Sequence, residues 1–159
     1  MANDDDYDIE TYEIDFTDAF KEAVKKARED LKREKLSKEV GGSHYRHYKD
    51  YQPIEFIVDR GYSFIEGNIF KYLTRYKFKN GVEDLEKAKQ YCEFWEQFHK
   101  KSKLSKTVTI FDFLSKNNID DTDLCDLLVT FDDALTCSDK LLGLSNLMLK
   151  IEKAIERIK

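Results

Sequence analysis

Apolar residues return every three or four positions along almost the whole of this chain, and that spacing commits it to α-helices. Phe20, Val24, Ala27 and Leu31 mark one side of an amphipathic helix over about 16–40, with Thr17 or Asp18 able to cap its start. Pro53, the only proline, suits the first turn of a short helix carrying Ile54, Phe56, Ile57 and Val58 and ending at Gly61. Ser63 with Glu66 is a capping box that opens a helix to about Phe78, with Ile65, Ile69, Phe70, Leu73 and Tyr76 facing inward. After the Asn80-Gly81 break, Leu85, Ala88, Tyr91, Cys92, Trp95 and Phe98 predict a long helix over 82–101. Three more patterns follow, at Ile110 to Lys116, Asp121 to about Leu135, and Ser138 to Ile158 with Ser138 as cap. Thr107 to Phe111 is the one β-branched run, too short to argue for a strand. The expected fold is all-α: a central helix pair (about 63–78 and 82–101) plus C-terminal helices. A homo-oligomer is expected as well, because small open helical modules bury ligands best between subunits.

Four segments follow: an acidic tail over 1–15, the amphipathic helix over 16–40, a central module over 41–103 and a helical extension over 104–159. The composition, 41% apolar and 37% charged, suits one folded core under a heavily hydrated surface. No apolar run reaches membrane-spanning length, and the start MANDDDYDIE is acidic where a secretory leader is basic, so a cytoplasmic protein without a membrane partner is expected. Cys92, Cys125 and Cys137 are too far apart for a thiolate metal site and read as reduced core residues. The net charge of −5 argues against binding long nucleic acid. Acids concentrate at the N-terminus and between Asp112 and Asp139, which leaves a positive middle suited to a small polyanion.

That middle holds the candidate site. No phosphate loop, dinucleotide fingerprint, zinc-protease motif or nucleophile elbow occurs, so any phosphate chemistry needs another scaffold. Lys71, Arg75 and Lys79 fall at i, i+4 and i+8 and predict a cationic stripe, flanked by Tyr72 and Tyr76 as stacking surfaces. Asn80-Gly81 then leads into a helix start whose amides attract anions. Asp84 lies in that first turn, where a carboxylate beside phosphate oxygens would hold Mg2+; stabilising the helix dipole is the plainer role for it and for Glu83 and Glu86. His44, Tyr45, His47, Tyr48, Lys49 and Tyr51 form a ring-rich loop that either packs on the helices or closes over a ligand, with His44 or Lys49 reaching phosphate.

One longer pattern runs through these residues: His44-Tyr45, then Tyr51-Gln52-Pro53-Ile54-Glu55-Phe56-Ile57, then Phe64-x-Glu66-Gly67-Asn68-x-x-Lys71-Tyr72-x-x-Arg75-Tyr76-x-x-Lys79-Asn80-Gly81-x-Glu83-Asp84-Leu85-x-Lys87-Ala88. It resembles a small phage family of a domain of unknown function, typified by a coliphage early kinase for thymidine and deoxyguanosine monophosphates that lacks a phosphate loop. The resemblance implies a nucleotide partner and makes His44, Tyr45, Pro53, Gly67, Asn68, Lys71, Tyr72, Arg75, Tyr76, Lys79, Asn80, Asp84 and Lys87 signature positions. Three functions are compatible with it. The first is a nucleoside monophosphate kinase-like phosphotransferase in an infected bacterial cytoplasm, in which His44 or Tyr45 positions the acceptor, Asp84 holds Mg2+ and the cations clamp phosphates. The second is a binder that sequesters a nucleotide or a nucleotide-derived defence signal. The third is a helical protein engaging a host factor. Gly67 and Asn68 inside a helix cost about 0.5–1 kcal/mol relative to Ala, which points to a close backbone approach or a ligand contact.

Overall fold

A computed structural model describes residues 17–38, 42–98 and 102–159, and every described element is helical. The acidic tail over 1–15, the start of the central module at Gly41 and the Lys100-Lys101 end of the second central helix lie outside the described residues.

The chain divides into two compact units, 1–38 and 39–159. The described part of the first is α1 (Asp18–Ser37), capped by Thr17, whose hydroxyl accepts from the Phe20 amide. None of its residues is buried; Phe20 and Leu31 of the apolar stripe stand about half exposed.

The second unit opens with a turn-rich loop (42–52) and α2 (Pro53–Arg60), where Gln52 and Glu55 form a capping box and Pro53 takes the first turn. Gly61 ends α2 in the left-handed region at φ 80°. The capping box foreseen at Ser63 and Glu66 forms at the start of α3 (Phe64–Arg75): the Ser63 amide donates to the Glu66 carboxylate at 2.7 Å. α3 stops three residues short of the sequence expectation. A 3-10 turn (Tyr76–Phe78) replaces its last turn, and Lys79 leaves helical geometry at φ −135°, ψ −94°. Then come α4 (Val82–Phe98), α5 (Ile110–Lys116), α6 (Thr122–Thr136) and α7 (Lys140–Ile158). The run Thr107 to Phe111 leads into α5, with Thr109 and Asp112 as its capping box. At α7 the cap is Asp139, which accepts from the Leu142 amide, and not Ser138.

α3 packs along α4, α6 along α7, and α7 back onto α4. The core between them is aromatic: Phe56, Phe70 and Phe113 lie 4.9–5.2 Å apart, centroid to centroid. Trp95, Leu85, Leu128 and Leu147 extend it between the long helices. Gly67 has its explanation here, since a Cβ at that position would stand 3.0 Å from Ile57, so the glycine admits α2 onto α3. Of the cysteines, Cys92 is fully buried and its thiol is pushed up to about 12 by that burial, while Cys125 and Cys137 are half-buried; all three are free.

Two buried polar networks lock the frame. Arg60 donates from Nε and Nη2 to the two carboxylate oxygens of Asp132, each at 3.0 Å, and from Nη1 to the Ser105 and Val108 carbonyls. Tyr62 donates to the same Asp132 at 3.0 Å, so α2, the segment 102–109 and α6 are joined through one guanidinium. Glu66 accepts from the Trp95 indole at 3.2 Å and from the Ser102 hydroxyl at 2.6 Å, joining α3, α4 and that same segment.

Candidate functional site

The exposed side of the α3–α4 pair gathers the charged signature residues around one ring. Lys71 Nζ lies 4.2 Å, Arg75 Cζ 4.6 Å and Lys87 Nζ 5.9 Å from the centre of Tyr72. A tyrosine face draws cations through its quadrupole, so Tyr72 holds three like charges closer together than an aliphatic residue would allow. Lys71 and Arg75 come from successive turns of α3, and Lys87 from the second turn of α4 beside it.

Each cation is held differently. Arg75 forms a two-pronged ion pair with Asp84, Nε to Oδ2 at 3.1 Å and Nη2 to Oδ1 at 2.8 Å. Burial pulls the Arg75 guanidinium down, but its bonds to Asp84, together with the Tyr45 hydroxyl, outweigh that and hold it above its ordinary value. Lys87 pairs with Glu83 one turn back along α4, which raises its ammonium. Lys71 donates to the side-chain oxygen of Asn68 at 2.6 Å, and Asn68 donates in turn to the Phe64 carbonyl at 2.8 Å. That donation fixes which end of the buried amide faces Lys71. Partial burial first, then the charges of Arg75, Lys79 and Lys87, pull Lys71 below the ordinary lysine value, with Asp84 opposing. Among the described residues neither Lys71 nor Lys79 pairs with a carboxylate.

The 42–52 loop reaches this cluster through Tyr45. Its hydroxyl lies within the field of the Arg75 guanidinium, and burial, opposed by that guanidinium, pushes it up. His44 lies behind, its ring 4.3 Å from that of Tyr45. The rest of the loop packs on the helices. Tyr48 is 1% exposed and donates to the Thr74 carbonyl near the end of α3, Tyr51 donates to Asp59 at 2.7 Å, and His47 stacks on Phe78 at 3.9 Å.

Several expected members stand elsewhere. Tyr76 is buried, as its place on the inward side of the helix predicts, and its hydroxyl is raised by burial and by Asp121 and Asp123 on the α6 side, so it is a core residue and not the stacking surface for a base that its neighbourhood to the cations suggests. Lys49 is exposed beside the buried Tyr48. Lys79 lies beyond the 3-10 turn and reaches the cluster by its field on Lys71, without continuing a helical stripe. The start of α4 is occupied by its own acid: the Asn80 amide points at Asp84 Oδ2, 3.4 Å away.

Asp84 itself departs furthest from expectation. Its side chain is fully buried, and both oxygens accept from Arg75. Magnesium needs carboxylate oxygens free to coordinate it. Among the described residues no three His, Cys, Asp or Glu side chains converge on one point. With both oxygens committed to Arg75 in a buried pair, Asp84 does not fit the magnesium ligand expected of it, and it holds the Arg75 guanidinium in place. The contact between Tyr45 and Arg75 spans thirty positions, and nothing in the spacing of the motif announces it.

Residues 40–93 match a family described as a protein of unknown function (DUF3310), and this segment contains every candidate residue above. No curated protein and no solved structure matches the chain. No helix among the described residues is long and apolar enough to cross a membrane.

Proposed function

We propose that this protein binds a nucleotide, with the phosphate on Lys71, Lys79, Lys87 and Arg75 and the base against Tyr72 and Tyr45. The observation that carries this reading is that, among the described residues, Lys71 and Lys79 have no carboxylate partner, while Arg75 and Lys87 beside them are balanced by Asp84 and Glu83. Like charges held together in a partly dry place are stabilised by an arriving anion, and a phosphate supplies the several acceptors that amines and a guanidinium need.

Phosphoryl transfer to a deoxynucleoside monophosphate is the second reading, supported by the resemblance to the coliphage kinase family and by Tyr45, whose hydroxyl feels the Arg75 guanidinium and could orient an acceptor there. Catalysis would then be placement and charge neutralisation by Lys71 and Arg75, with Tyr45, backed by His44, orienting the acceptor. A phage source and an infected bacterial cytoplasm belong to this proposal and rest on the resemblance, whereas a homo-oligomer belongs to it because small open helical modules bury ligands best between subunits. The buried pairing of Asp84 favours binding without turnover, as in sequestration of a nucleotide signal.

The test is a thermal-shift screen of mono-, di-, tri- and cyclic nucleotides, with and without magnesium, followed by product analysis for those that bind. A ligand of the native state raises the melting temperature by mass action. Lys71→Ala with Lys79→Ala should weaken the best ligand at least tenfold, since bonds to charged groups contribute about 1.5–3 kcal/mol each. A flat screen across the whole panel overturns the proposal.

A further inference from the structure

The rings do not stop at Tyr72. Tyr91 on α4 lies 5.7 Å from it at a tilt of 32°, Phe94 lies 5.6 Å from Tyr91, and Phe64 at the start of α3 lies 6.3 Å from Tyr91. Phe98 continues the same face of α4 one turn further, since 91, 94 and 98 fall at i, i+3 and i+7. Phe64 is 78% exposed and Phe98 65%, and neither belongs to the core that holds the fold together. An aromatic strip thus begins among the cations and runs along the α3–α4 pair towards the other end.

The geometry points to a second base subsite on this strip, so that the preferred ligand is a 5′-phosphorylated dinucleotide and not a mononucleotide alone. This rests on the nucleotide reading above. The cations at one end fix the polarity: a terminal phosphate on Lys71 and Lys79 puts the first base at Tyr72, and the next lands one ring spacing on, over Tyr91, Phe64 and Phe94. Successive rings beside a cationic anchor are how proteins hold successive bases, because every base offers a π face. The charge is local, matching one or two phosphates, and the chain's net −5 opposes anything longer.

The test compares dTMP with pdTpdT and dAMP with pdApdA by titration calorimetry on the full chain, with sedimentation run alongside. The expected result is a gain of about five- to a hundredfold for the dinucleotide, the range for stacking one base on an aromatic side chain. Phe64→Ala and Phe94→Ala should remove that gain while leaving monophosphate affinity unchanged. Monophosphates that bind with no gain for either dinucleotide overturn the second subsite and leave the nucleotide reading standing. Variants that fall from a larger assembly to single chains overturn it too, making the strip a contact between copies. Absence of binding by all four ligands overturns the second subsite, and the nucleotide reading then falls only with a flat result across the full nucleotide panel.

Discussion

Asp84 closes on Arg75 in a two-pronged ion pair, at 2.8 and 3.1 Å, with the carboxylate fully buried and the guanidinium side chain 12% exposed. Removing one member of a pair this dry strands the other, whereas replacing both with apolar groups is tolerated far better. Asp84→Asn should therefore destabilise the fold by about 3 kcal/mol, read as a lowered urea midpoint, and Arg75→Met with Asp84→Leu should recover most of that loss. An equal loss in both variants would show that the pair contributes more than mutual compensation.

If the proposed nucleotide seats its phosphate on Lys71, its affinity should depend on pH. An anion binds its ammonium form, and in the free protein burial and neighbouring cations hold that group below 10.5. Affinity is expected to fall as pH rises through the depressed value, earlier than an ordinary lysine would lose its proton. Lys71→Arg, which stays charged, should flatten the profile. An unchanged profile in that variant would place the anion away from Lys71.

Acid should weaken the fold through Asp112 and Asp121. The Asp112 carboxylate accepts from the Thr109 amide at 2.6 Å and from its hydroxyl, and these bonds hold it below the ordinary carboxylate range. For Asp121 burial acts the other way, but the Lys77 ammonium and the Leu124 amide outweigh it. Both groups have a depressed folded pKa, so their contribution is present above the ordinary value near 3.8 and is lost as pH falls through the folded one. Urea midpoints at pH 7 and pH 3 should differ less in Asp112→Asn than in the parent.

Gly143→Ala should destabilise by about 1–3 kcal/mol, the usual cost of overpacking. A Cβ there would stand 2.7 Å from the Ala134 Cα and 2.9 Å from the Cys137 sulfur, where α7 crosses the end of α6. Backbone cannot yield as a flexible side chain can. Thermal melts of the two proteins check it, and Gly143→Ala melting with the parent would mean that the crossing gives way.

Local signals carried most of the fold. The Ser63 and Glu66 capping box, Pro53 opening α2 and the stripes of α4 and α7 are decided by neighbours three or four residues apart, so they could be read from spacing. The shortened α3 could not, because its last turn tightens where Arg75 meets Asp84 nine residues on. The same limit applies to the site. Lys71, Tyr72, Arg75 and Lys87 are visible as charges and rings in a motif, and helical spacing already turns Tyr76 inward, yet the same motif also offers it as a stacking surface, and only its burial on the α6 side decides between the two. Arg60 with Asp132, and Glu66 with Trp95, join residues 72 and 29 positions apart, and neither link leaves a periodic trace.

The single guanidinium of Arg60, tied at once to α6 and to the stretch ahead of α5, carries a practical meaning for the recognisable segment 40–93. Excised, that segment would keep its charges and rings but lose Phe113, Leu128 and Leu147, against which its inner surfaces close. A chain cut at that boundary would have to shield Phe56, Phe70 and Leu85 from water by some other means.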